Sequence, residues 1–157
     1  MCLFCFQYFQ FYKLTSYEVS KEHLNCITTI TKGDIIGTIT IPNYSFSHSF
    51  VYGLNNEILN QQQIGTFFGK KEIMKRNHLI LAGHNQYGMF RVLEKLKIGD
   101  EIEIILLGKQ MIYQVTAKRI VDATELFYFN ETEEPLLTLM TCDRNSEKRI
   151  LFQAKKN

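Results

Sequence analysis

Apolar and polar residues alternate along several stretches of this chain. In 35-IIGTITIP-42, Ile35, Gly37, Ile39 and Ile41 fall on one side and the run stops at Pro42, which is the pattern of a half-buried strand. A turn around 42-PNYS-45 leads to 46-FSHSFVYG-53, which alternates again and closes on a glycine. The next segment, 54-LNNEILNQQQIG-65, has helix-like content and ends on Gly65. The continuous apolar run 78-HLILAGH-84 predicts a buried strand. In 88-GMFRVLEKLKIGD-100, Met89, Phe90, Leu93, Leu96 and Lys97 recur at helical spacing and Gly99 closes the segment.

Two more strands, 101-EIEIILLG-108 and 110-QMIYQVTAKRIVD-122, are separated only by Lys109 and read as a hairpin. An acidic and aromatic loop or short helix, 123-ATELFYFNETEEP-135, leads into the strand 136-LLTLMTC-142, and 149-RILFQAK-155 is the last strand. About seven strands with two short helices and mostly antiparallel pairing predict a mainly β fold, a closed or nearly closed β-barrel with short helices on its rim. No internal repeat or low-complexity segment interrupts it.

The first residues change this picture. The run 1-MCLFCFQYFQFYKL-14 is apolar but broken by Gln7 and Gln10, and a spanning helix needs roughly 20 apolar residues. It has neither the basic start nor the small-residue cleavage site of a signal peptide. Two readings stay open: an apolar segment packed on the domain, or the end of a membrane anchor. Residues 15–33 are polar and mixed and read as a linker. The chain therefore divides into an N-terminal segment and linker, 1–33, and a barrel domain, 34–157.

Composition adds exclusions. A chain of 157 residues, 45% hydrophobic and 22% charged, suits one soluble domain with a real core. A net charge of +2 without a Lys/Arg run argues against a nucleic-acid partner. Of the four cysteines, Cys2, Cys5 and Cys26 cluster near the N-terminus. With His23 they offer four zinc-ligand types, but thiols set among Leu3, Phe4 and Phe6 read better as small hydrophobes. Cys142 stands apart.

A cysteine at a strand end is by default a small core residue. Three features argue otherwise. Cys142 adjoins the polar run 143-DRNSEK-148, which places its thiol near a rim. His84 also ends an apolar strand, in 81-LAGHN-85, and could handle protons for a thiolate. Arg149 begins the strand after the cysteine loop, and cross-strand neighbours lie ~5 Å apart. A guanidinium keeps its charge over the working pH range and can hold an oxyanion or a substrate carbonyl. His23, His48 and His78 occupy linker or strand-interior contexts and read as surface or satisfied core residues. Arg144 is a rival cation, two positions after the cysteine, in a loop expected to be solvated. No Asp or Asn partner for His84 is evident from sequence.

These residues resemble the sortases. The segment 78-HLILAGHNQYGMFRVLEKLKIGDEI-102 resembles the sortase histidine segment, 137-LTLMTC-142 the Thr-Leu-x-Thr-Cys motif, and 148-KRILFQA-154 the strand carrying the arginine. The strand end 39-ITIP-42 is similar to the family's first barrel strand. The resemblance spans about 34–155 and implies a closed eight-stranded β-barrel and a cysteine transpeptidase. It implies that Cys142 is the nucleophile, His84 the acid/base and Arg149 the oxyanion- or substrate-orienting cation, with Thr141 contributing to the substrate pocket. Segment 123–135 falls where sortases carry the loop that reads the sorting signal.

The implied partners are surface proteins with a C-terminal sorting signal of Leu-Pro-x-Thr-Gly type and an amine acceptor on the cell wall or on a pilin. Placement is implied at the outer face of the membrane of a Gram-positive-type bacterium, with membrane association through the N-terminus. No cofactor and no metal is expected. Calcium serves some class A sortases, but Glu72 and the acidic residues 131–134 form no convincing site. The motifs lean towards class A, and Gly-His-Asn also fits class B. The alternatives are an L,D-transpeptidase-like wall enzyme, whose motif lacks its Ser and Gly here, and a catalytically silent β-barrel binding module.

Overall fold

A computed structural model describes residues 30–67, 77–125, 127–143 and 147–157. The strands are β1 (Ile35–Ile41), β2 (Phe46–Val51), β3 (Ile64–Thr66), β4 (His78–Ala82), β5 (Glu101–Leu106), β6 (Lys109–Asp122), β7 (Leu136–Cys142) and β8 (Lys148–Lys156). They close into a barrel in the order β1-β2-β3-β4-β7-β8-β6-β5.

The strand that periodicity passes over is β3. Three residues are too few to display alternation, and they follow a segment with helical composition. That helix, α1, covers only Asn56–Asn60. Asn55 caps its start by accepting the Ile58 N–H, and Gln62 at φ 55° turns the chain out of it. Residue Phe90 begins a five-residue 3-10 helix, Phe90–Glu94, in place of the longer helix expected over 88–100. Its apolar spacing still serves the core, because Met89, Phe90, Leu93 and Leu96 are all buried.

The hairpin between β5 and β6 turns on Leu107 and Gly108, both with positive φ (49° and 82°). A tight two-residue turn of this hand matches the twist of the flanking strands. Lys109 is therefore the first residue of β6, opposite Leu106, and not the connector.

Most pairings are antiparallel, but β2 with β3 and β4 with β7 run parallel. The β4–β7 pair also explains the continuous apolar runs of both strands. Their inward residues, Leu79, Leu81, Leu137 and Leu139, join the main core with Ile39, Ile104 and Phe152. Their outward residues Ile80, Ala82 and Met140 join a second cluster with Val121, Phe129 and Leu151. Strands buried on both faces lose the alternation that marks a half-exposed one. Each large side chain fully buried there contributes roughly 1.5–3 kcal/mol.

Along β6 the facing changes. A register slip between Val115 and Ala117 inserts an extra residue against β8, which re-aims the residues beyond it. Val115 points into the main core, whereas Val121 lies in the outer cluster. Ile30 packs against the main core, and the Gly33 N–H donates to Tyr52 O at 2.9 Å, so residues 30–33 are fastened to the barrel.

Candidate active site

Strands β4 and β7 are in parallel register, with Ala82 opposite Met140. Parallel neighbours end at the same rim, so His84 and Cys142, each two residues past this pair, come to the same end of the barrel. Gly83 fixes the spacing between them. Its N–H donates to Met140 O at 3.1 Å, and its carbonyl accepts the Thr141 hydroxyl at 2.9 Å. A side chain at Gly83 would begin 3.2 Å from both Ile64 and the Phe90 ring, tighter than ordinary van der Waals contact. The carbonyl of His84 then accepts the Phe90 N–H at 3.1 Å, and Gln86 O accepts from Met89 and Arg91. These bonds set the loop that carries the imidazole.

Arg149 approaches from the other side. Cys142 and Arg149 are direct partners across the antiparallel β7–β8 pair, next to Met140 and Leu151. The Asp143 N–H donates to Lys148 O at 2.9 Å and closes the hairpin between them. Side chains of opposed residues face the same way. Met140 and Leu151 belong to the outer cluster, and alternation puts Cys142 and Arg149 on that same outer wall. Both are half-buried. Arg149 also makes a long contact to Lys148 O, 3.5 Å from Nη1.

The β6–β7 connection covers the wall beside these residues. Its 3-10 turn, Phe127–Phe129, buries Phe129 in the outer cluster and packs Tyr128 against it. Phe129 stacks on Phe67 with ring centroids 4.9 Å apart, while Phe127 is 72% exposed. The far half of the connection is fastened to the start of β4. The Asn77 N–H donates to Glu131 Oε1 at 2.7 Å, and its side-chain amide donates to Thr132 O and Glu133 O.

The other described histidines have structural partners. His78 is 2% exposed, and its two ring nitrogens lie 2.7 Å from Asn130 O and from Thr138 Oγ1. His48 contacts Ser49 O at 2.6 Å and stacks on Phe46. Thr141 is 3% exposed, with its hydroxyl directed at Gly83. The acidic stretch is used in the fold: Glu131 holds Asn77, and Glu134 pairs with Lys155 at 3.5 Å. Among the described residues no group of three or more His, Cys, Asp or Glu side chains is placed to hold a metal. Cys2, Cys5, His23, Cys26, Glu72 and Arg144 lie outside the described residues.

Sequence reasoning missed the Gly83 clamp and the aromatic outer cluster. The signal for the cluster was present in the unbroken apolar runs of β4 and β7. A thiol, an imidazole and a guanidinium reaching one rim make up a set suited to acyl transfer through a thioester.

The family model of the sortase domain matches residues 39–157, and the chain belongs to the sortase family. Sortase A of Listeria monocytogenes is 26% identical over 152 residues, covering 90% of this chain and 68% of that protein. Among solved structures, the sortase D5 transpeptidase of Clostridium perfringens superposes with a TM-score of 0.77 at 25% identity, covering 87% of each chain. Sortase C of the same organism, determined with the C-terminal cell wall sorting motif, gives 0.73 at 26% identity, covering 82% of this chain and 74% of that one. The protein is a cysteine transpeptidase of the Gram-positive cell-surface type. Family membership sets aside the L,D-transpeptidase reading. Among the described residues, no helix is long and apolar enough to cross a membrane.

Proposed function

We propose that the protein cleaves a C-terminal sorting signal of Leu-Pro-x-Thr-Gly type between Thr and Gly and transfers the new acyl group to an amine. The Cys142 thiolate attacks the Thr carbonyl carbon. His84 protonates the departing Gly amine, which leaves Cys142 as a thioester. His84 then takes a proton from the incoming amine as it displaces the thiolate. Arg149 stays cationic throughout and donates hydrogen bonds to the carbonyl oxygen as charge develops on it. The cycle calls for no cofactor.

The observation that carries this reading is the cross-strand pairing of Cys142 with Arg149, with His84 at the same rim through the parallel β4–β7 pair. The exposed Phe127 and the partly buried Tyr128 of the β6–β7 connection, seated over the buried outer cluster, offer apolar surface that suits the Leu-Pro end of such a signal. Thr141 was expected to contribute to the substrate pocket. Its burial and its bond to Gly83 O support a contribution made from behind the pocket wall, by fixing the step from Gly83 to His84. The amine is that of a wall peptide or a pilin, and residues 1–14 associate the enzyme with the membrane at its outer face.

The test is a panel of sorting-signal peptides incubated with and without an amine acceptor. Cleavage between Thr and Gly, with an amide product formed only when the amine is present, is the expected result. Absence of cleavage across the panel overturns the proposal.

A further inference from the structure

A second arginine shares the outer wall with Arg149. Beyond the register slip in β6, Arg119 stands opposite Leu151 and Val121 stands opposite Arg149. Leu151 and Arg149 in turn face Met140 and Cys142. Two rows therefore cross the wall, Cys142–Arg149–Val121 and Met140–Leu151–Arg119. Arg119 flanks the apolar patch at the end away from His84.

Its side chain is held at two points. Nε donates to Gln153 Oε1 at 3.2 Å, and the guanidinium lies 5.3 Å from the centroid of the Tyr128 ring, within cation–π range. Tyr128 belongs to the β6–β7 connection and packs on the outer cluster. Phe127 abuts Tyr128 edge to face, with centroids 5.4 Å apart. The planar group is thus fixed by one edge and one face. A guanidinium carries five donors in a rigid fork, and among the described residues the fork of Arg119 meets no carboxylate. Arg119 is itself an exposed residue, one strand over from Leu151 of the outer cluster.

Two strand spacings and two residues of rise put the Arg119 and Cys142 Cα atoms on the order of 12 Å apart. An extended peptide covers that in about four residues. We infer that Arg119 is a specificity-determining residue that selects an acidic side chain within about four residues of the scissile bond in the sorting signal. The inference rests on the sorting-signal reading of the same site. Gln153 and Tyr128 hold the fork in place, and Tyr128 ties the charge to the segment that lines the signal.

The experiment compares kcat/KM for sorting-signal peptides that differ only by Glu or Gln at each position near the scissile bond. The wild-type enzyme is expected to favour Glu at one position by about two- to fivefold, the size of an exposed ion pair, and the preference is expected to shrink as salt is added. Arg119→Gln is expected to bring the Glu-to-Gln ratio to unity, and Arg119→Lys to keep part of it. If Arg119 only packs Tyr128, Arg119→Gln lowers both peptides together and leaves the ratio intact, which overturns the inference. Wild-type cleavage blind to charge overturns it as well, while the sorting-signal reading stands. Failure to cleave any peptide overturns the sorting-signal reading and this inference with it.

Discussion

Cys142 and Arg149 face each other across neighbouring antiparallel strands, joined by a hairpin that the Asp143–Lys148 backbone bond closes. The register of one strand pair thus brings a thiol and a guanidinium to the same face.

Replacing the thiol separates chemistry from folding. Cys142 is half-buried and lies at a strand end, so Cys142→Ala leaves no large cavity. The variant is expected to lose peptide cleavage entirely and to keep its Tm within about 2 °C. In the wild type, iodoacetamide should label Cys142 in the folded state, as mapped by peptide mass spectrometry. A thiol that labels only after unfolding would count against its role as nucleophile.

The two arginines that follow the cysteine should behave differently. Arg149→Ala is expected to lower kcat by about 10²–10³, the usual loss for one oxyanion donor, with Arg149→Lys intermediate. Arg144→Ala is expected to leave kcat/KM nearly unchanged. Steady-state kinetics on one peptide ranks them, and the reverse order would transfer the role to Arg144.

Thr141→Val keeps the shape of the side chain but removes the donor to Gly83 O. A stability loss of about 1–3 kcal/mol is expected, seen as a fall in Tm of roughly 2–4 °C per kcal/mol. Activity should fall as well, since Gly83 directly precedes His84. Thr141→Ser retains the hydroxyl and should recover most of both. A Thr141→Val enzyme with wild-type kcat would show that the clamp does not position the imidazole.

Asp100 ties the turn after β1 to the turn before β5. It accepts from the Lys97 N–H, the Tyr44 hydroxyl and the Asn43 amide. Partial desolvation pushes its carboxyl up. The Lys97 N–H, the Tyr44 and Asn43 hydrogen bonds and the Lys97 charge more than reverse this and hold it below the ordinary value. A carboxyl lowered in the folded state stabilises fully above its unfolded pKa, and that contribution is lost as pH falls through the folded value. Asp100→Asn should therefore lower Tm near neutrality, and the gap should close in acid below about pH 4. A gap independent of pH would assign the effect to packing. Asp100 is half-buried at the barrel's edge and still in contact with solvent, which screens these interactions, so the gap should be small.

The strands of this barrel were legible where one pattern governed enough residues. Alternation located β1 and β2, and unbroken apolar runs located β4 and β7. Strand β3 was not legible, because its three residues depend on partners in β2 and β4 and not on a pattern of their own. The connector of the β5–β6 hairpin was misplaced by a residue or two. Leu107 adopts the left-handed backbone that the turn requires, and leucine is not a residue that announces such a turn.

The sequence by itself determined the class of fold, the family and the residue types available for chemistry. His84, Cys142 and Arg149 each lie at the end of an apolar run, and run ends are local properties that periodicity records. Only the tertiary structure decided that they come to one rim. The parallel pairing of β4 with β7 joins segments more than fifty residues apart, and nothing local in either strand specifies that register. The slip in β6 decided that Arg119 and Val121 share the outer wall with the cysteine, because one inserted residue reverses which side chains face out.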